Sequence, residues 1–348
     1  MLNDRIEAKW IDAFERVFAR CKVASGDDVA ILSETQSRPL NVHLAELALC
    51  RLGARAFHVV VPSPAQTAPV PVRSTGASQA LAGHKAAIAS LREASLVADL
   101  TVEGILHAPE LAEILAGGKA RLLTISNEHP EALERLAPDP AMEARVKAAV
   151  KRCRAARTMT VTSAAGTDLS VDMGEARTAG VWGWTDRPGT VAHWPGGVVV
   201  SFPRAGAVNG RLVLDAGDVN LTFKRYLERP VSLTIADDYV VAIEGEGTDG
   251  ELMRRYFAAW GERAAYATSH VGWGLNEGAR YEALAMYDRR DTNGTEIRAY
   301  AGNFLYSTGA NEFAGRYTQG HFDLPVRGTT IRLDGAAVVE DGRLTDSG

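Results

Sequence analysis

Near the end of the chain stands His321-Phe322-Asp323. On an extended strand, residues i and i+2 face the same side, so this imidazole and carboxylate can reach one ion. Two such ligands need a third. His270 is the candidate, in Thr268-Ser-His-Val-Gly-Trp-Gly-Leu-Asn276, where Gly and Trp suit a close backbone approach and an aromatic-lined pocket. Its other reading is a core histidine bonded to a carbonyl. Two histidines and one carboxylate on one face are the ligand set of oxygen-activating iron(II), with positions left open for substrate and O2. H-x-D alone also arises as a surface accident, so the pattern needs support from elsewhere.

Order along the chain narrows the chemistry. A 2-oxoglutarate oxygenase places H-x-D before its distal histidine, but only 25 residues follow Asp323 and none is His. Among the other histidines, His107 sits in Gly104-Ile-Leu-His-Ala-Pro109, just past an expected strand. In open α/β sheets that carboxyl edge is where ligands gather. His43 and His84 fall in helical segments and His58 in a strand, which suits structural or surface roles. His129, before Pro130, reads as solvent-facing. Gly245-Glu-Gly-Thr-Asp-Gly250 has dinucleotide-loop spacing. Glu246, Asp249 and Glu251 would repel a pyrophosphate, so an acidic turn at a helix start is the better reading.

The elements that must position these groups fall into two halves. Over residues 1–156, apolar strands (27–35, 55–62, 95–103, 120–126) alternate with helical segments (41–54, 79–94), which predicts an α/β unit with a mostly parallel sheet. A charged helix at 140–156 bridges to residues 157–348. There alternation around turns and one helix at 249–264 predict a β-rich α+β unit. The Pro-rich patch from Pro62 to Pro71 reads as an exposed loop inside the first half.

The 348 residues carry a net charge of −5 and no basic face, which argues against a nucleic-acid binder. Cys21, Cys50 and Cys153 form neither a disulfide framework nor a zinc knuckle. No secretory signal or apolar run of spanning length is visible, so a cytoplasmic protein without a membrane partner is expected.

Several blocks together resemble the 2,5-dihydroxypyridine 5,6-dioxygenase family. They are Leu106-His-Ala-Pro-Glu, His193-Trp-Pro-Gly-Gly, Arg211-Leu-Val-Leu-Asp-Ala-Gly-Asp, Ser269-His-Val-Gly-Trp-Gly-Leu, Gly302-Asn-Phe-Leu-Tyr-Ser-Thr-Gly and His321-Phe-Asp-Leu-Pro. The likeness runs over nearly the whole chain. It implies ring opening of 2,5-dihydroxypyridine by O2 between carbons 5 and 6 to N-formylmaleamate, in nicotinate, nicotine and picolinate breakdown. It also implies Fe(II) on His270, His321 and Asp323, with His107 and His193 beside the substrate and Leu106 and Ser307 against it. A homo-oligomer is expected.

The scaffold itself resembles the thermophilic-type metallo-aminopeptidases, with informative departures. Val198, after Pro195-Gly-Gly, and His270 stand where those peptidases place metal-binding glutamates. Leu305 stands where they place a later histidine. One metal rather than two is implied.

Of the remaining roles, His107 is the candidate general base for a substrate hydroxyl. His193 would hydrogen-bond the 2-oxygen or O2, and the two could exchange roles. Trp182, Trp184, Trp194, Trp273 and Phe304 are candidate walls for a flat ring, against simple core packing. Asn303 and Ser307 offer neutral hydrogen bonds, which suit a neutral heteroaromatic better than an arginine clamp. The competing classes are a metal-dependent hydrolase on the same scaffold and a small-molecule binding protein. O2 uptake separates the first reading from both.

Overall fold

The computed structural model describes residues 4–69 and 78–346. Its first layer is a five-stranded, all-parallel sheet in the order Arg55–Val61, Asp28–Glu34, Leu96–Asp99, Arg121–Ile125 and Val191–Trp194. The central strands are buried on both faces, as continuous apolar runs require. Along Asp28–Glu34, Val29 and Ile31 pack toward the helices Ala8–Arg20 and Pro39–Arg51. Ala30 and Leu32 pack the other way, toward Lys85–Glu93 and Glu110–Leu115. Ala8–Arg20 buries Trp10, Ala13, Phe14, Val17 and Phe18, the stripe of an amphipathic helix.

The last strand of this sheet lies beyond the 156/157 boundary expected from the sequence. The chain leaves through the helix Pro140–Ala155, forms a hairpin, then returns to pair Val191–Trp194 with Arg121–Ile125. The two expected units therefore share a sheet. A four-residue strand flanked by irregular chain has too little periodicity to announce its partner.

The remaining strands build an eight-stranded antiparallel sheet and a five-stranded one, plus a two-stranded ribbon. The five-stranded sheet runs Phe322–Val326, Phe304–Thr308, Thr268–Gly274, Val198–Phe202 and Arg177–Val181. One of its faces sends Val271, Trp273, Phe304, Tyr306, Phe322 and Leu324 into the main core. The opposite face looks toward the carboxyl ends of the parallel strands.

Gly245–Gly250 links antiparallel strands to the helix Gly247–Ala259. Asp249 accepts there from the backbone N–H groups of Glu228 and Arg229 and pairs with Arg225, so the acidic-turn reading holds. Residues 62–69 of the Pro-rich patch are irregular and mostly exposed; Val70 and Pro71 lie outside the described residues.

The two halves are joined at residues 291–298. Arg38 pairs with Asp291, and Arg135 grips the buried Glu296 with two nitrogens at 2.5 and 3.2 Å. Removing Arg135 leaves the Glu296 carboxylate buried without its counter-ion. Arg135→Ala should therefore lower unfolding free energy by about 3–5 kcal/mol in a urea titration. A loss below about 1 kcal/mol would mean that water replaces the guanidinium there.

Candidate active site and metal centre

Three neighbouring strands place the ligand set. Register pairs His270 with Ser307, and Ser307 with Asp323, so the three stand in a row on one sheet face. His321, two residues before Asp323, joins them. From Asp323 Oδ1, His321 Nε2 lies 3.2 Å away and His270 Nε2 3.8 Å away. The three ligand atoms lie within 4.8 Å of one another, the one such group found among the described residues. The Ser307 hydroxyl donates to Oδ1, and Arg298 Nε donates to Oδ2.

The protonation states fit a bound cation. Burial opposes ionisation of Asp323, yet His321 and Arg298 beside it hold its carboxyl well below the usual range. Burial pushes His270 down to about 3, so it is neutral at physiological pH. Its buried Nδ1 has no hydrogen-bond partner among the described residues, so hydrogen bonding there does not account for an imidazole at this position. Two imidazole nitrogens and one carboxylate oxygen suit a divalent first-row metal.

A cavity of about 300 Å³ opens in front of this set. Its floor is the sheet face with His270, His321, Asp323, Leu305 and Val200; its roof is the parallel sheet's carboxyl edge with Leu106, His107, Thr124 and Ser126. The loop leading to His107 is fixed by the buried Asp99. That carboxylate accepts from Thr101, from Thr124 and from the Ile105 backbone N–H. The His107 ring lies 5.4 Å from that of His321. Burial, with His321 adding to it, pushes His107 down to about 4.

His193 sits on the last parallel strand and lines the same cavity. Its Nδ1 is 2.6 Å from the Pro195 carbonyl oxygen. A carbonyl only accepts, so Nδ1 carries the proton and the neutral ring has its lone pair at Nε2. Neutral His193 can thus accept from a substrate hydroxyl but cannot donate through Nε2 to O2. Burial pushes its pKa down to about 4 as well.

Stability should follow. In the unfolded chain these histidines take protons near pH 6.5, while in the fold they resist until about 4. Folded pKa values below the unfolded ones give stability that is complete above about 6.5 and lost as pH falls toward 4. In chelator, melting temperature should drop across that window, and less steeply in His193→Gln. An equal slope in the variant would remove His193 from the account.

Several sequence expectations need correction. Trp273 lies fully in the core and not on the cavity, because three positions from His270 is an odd step and points to the other face. Trp182, Trp184, Trp194 and Phe304 are likewise absent from the lining. Asn303 does not line the cavity either. Its amide accepts from the Gly274 N–H and donates to the Ile297 and Arg298 carbonyls. Ser307 is fully buried and touches the Asp323 carboxylate. His129 is buried rather than solvent-facing; its Nδ1 caps the helix Pro130–Arg135 and its ring meets Trp10 edge-on at 5.3 Å.

Among the cavity residues the sequence did not suggest, two stand beside the ligand candidates. Phe202 packs its ring 5.3 Å from His270, and Arg298 brings a cation where only neutral groups were expected.

The 2,5-dihydroxypyridine 5,6-dioxygenase family profile matches residues 9–346. The chain belongs to the 2,5-dihydroxypyridine 5,6-dioxygenase family. A relative of that name from Pseudomonas putida KT2440 is 35% identical over 339 residues, covering 96% of this chain and 95% of its own. A solved 2,5-dihydroxypyridine dioxygenase structure from the same organism superposes with TM-score 0.91 at 34% identity, over 99% of this chain and 98% of that one.

AmpT from Thermus thermophilus shares the fold at 14% identity, TM-score 0.57, over 97% of this chain and 99% of its own. The aminopeptidase-like scaffold of the dioxygenase family is thus evident here. Val198 and Leu305, at the positions where metal-binding residues were compared, pack with Ala299 in a small apolar cluster. That cluster offers a second ion no ligand. Among the described residues no helix is long and apolar enough to cross a membrane.

Proposed function

We propose that this chain is an iron(II)-dependent dioxygenase that opens 2,5-dihydroxypyridine between carbons 5 and 6 with O2, giving N-formylmaleamate. One observation carries the reading. In a chain of this family, a His270/His321/Asp323 set and two neutral histidines line the same cavity.

Bound there, iron(II) would supply the redox contact between an electron-rich ring and O2. The chain's own groups orient the ring and handle its protons. His107, whose ring lies 5.4 Å from that of His321, takes the proton of the 5-hydroxyl. His193, its lone pair directed by Pro195, accepts from the 2-hydroxyl. Leu106, Val200 and Leu305 exclude water around the ring. In this reading the 1–156 unit lends His107, and the 157–348 unit holds His193 and the ligands.

The test is anaerobic reconstitution with iron(II), then substrate and air, following ring absorbance and O2 together. Loss of the ring signal with one O2 consumed per substrate is expected. One iron per chain with both signals unmoved would remove this substrate and turn the question to hydrolysis.

A further inference from the structure

We infer that Arg298 is a positioning residue that restricts Asp323 to a single metal-binding oxygen, which keeps positions on the ion open for substrate and O2. The inference rests on the metal reading above and extends it to a residue outside the ligand set.

The two carboxylate oxygens of Asp323 have different surroundings. Oδ1 faces His321 Nε2 and His270 Nε2 at 3.2 and 3.8 Å and accepts from Ser307. Oδ2 is held by Arg298 Nε. A carboxylate free at both oxygens can chelate an ion with two bonds. Both oxygens accept a hydrogen bond, but only Oδ1 faces the two imidazole nitrogens, while Oδ2 is turned to the Arg298 cation, so Oδ1 is the oxygen placed for the ion.

The fold is built to present this arginine. It lies on the short helix Thr295–Ala299, whose preceding turn is anchored by the Glu128 carboxylate. Glu128 accepts from the N–H groups of Asn293, Gly294 and Thr295 at 2.8, 2.9 and 3.1 Å. At the other end Asn303 donates to the carbonyls of Ile297 and Arg298 at 2.7 and 3.1 Å. Arg135 holds the intervening Glu296. Both ends are therefore fixed by buried groups, and Asn303 acts on the site through Arg298 rather than through substrate. The guanidinium is a cation beside a cation site, an arrangement that does not strengthen metal binding by charge. Its value lies in geometry.

The experiment uses full-length wild type, Arg298→Gln and Arg298→Lys, prepared anaerobically. Iron(II) binding is measured by calorimetry, ligand number by the visible absorption of the cobalt(II)-loaded protein, and turnover by steady-state kinetics. Arg298→Gln should bind iron(II) at one per chain, no more weakly than wild type. Its cobalt(II) spectrum should change as the carboxylate chelates, and kcat should fall about 10–100-fold with the ring substrate's KM nearly unchanged. Arg298→Lys, charged but without the guanidinium fork, should fall between the two on both readouts.

An unchanged cobalt(II) spectrum overturns the inference, as does loss of iron from Arg298→Gln. So does a raised KM with kcat intact, which would make Arg298 a substrate contact. Should Arg298→Gln prove unstable, Arg298→Lys decides, since reduced turnover with a wild-type spectrum also overturns it. Wild type that binds no ion removes the metal reading itself, and this inference with it.

Discussion

His270→Leu should abolish turnover, lowering it by about 10³-fold or more, while leaving the metal-free fold as stable as wild type or more so. The two halves of that expectation have one cause. His270 is buried, its Nδ1 lacks a partner among the described residues, and burial holds its pKa near 3. A buried polar ring with an unmade hydrogen bond destabilises the fold that contains it. An apolar side chain of similar size, packing against Phe202, removes that cost. What the imidazole supplies instead is Nε2, 3.8 Å from Asp323 Oδ1. In wild type, added iron(II) should raise the melting temperature, because an ion bound only by the folded state stabilises it. In His270→Leu that rise should vanish. A variant that melts well below wild type in chelator, or still gains stability from iron(II), would show His270 to be a structural histidine, the alternative its sequence context left open.

The His321/Asp323 pair was legible because its spacing is local: H-x-D on a strand constrains two side chains without any tertiary knowledge, whereas His270 came only from its Gly- and Trp-rich surroundings and the family resemblance. The parallel sheet was legible because its central strands are apolar on both faces. Arg298 was not, since a five-residue helix has no periodicity to detect, and its partner Asp323 is 25 residues away. Trp273 and Asn303 were misplaced for a related reason. Residue type suggested stacking and hydrogen bonding, but strand parity turned Trp273 into the core and backbone groups consumed the Asn303 amide. His129 was misjudged because a histidine before proline can cap a helix, and this one does so in a buried seam beside Trp10. The cavity's position depended on a crossover that returns Val191–Trp194 to the first sheet. Long-range pairing of that kind leaves no trace in a short strand.

His107→Ala should lower kcat about 10²–10⁴-fold, the range for loss of a general base, with iron still bound at one per chain. The geometry separates His107 from His193. His107 lies 5.4 Å, ring to ring, from His321, which places it beside whatever substrate oxygen approaches the ion. His193 is tied to Pro195 and reaches the cavity from the last parallel strand. Burial keeps both rings neutral at pH 7, so each has a lone pair to offer, and proximity to the ligand set decides which takes the reacting proton. His193→Ala should therefore act mainly on KM, through lost orientation of the ring, with a smaller effect on kcat. The pH profile gives an independent readout. In wild type the acid limb of kcat/KM should lie well below pH 6.5, because burial, with His321 adding to it, depresses the His107 pKa to about 4. In His107→Ala that limb should disappear while iron occupancy stays constant over the same pH range. A large kcat loss in His193→Ala with His107→Ala near wild type would exchange the two assignments. Loss of iron from His107→Ala would instead place His107 among the ligands.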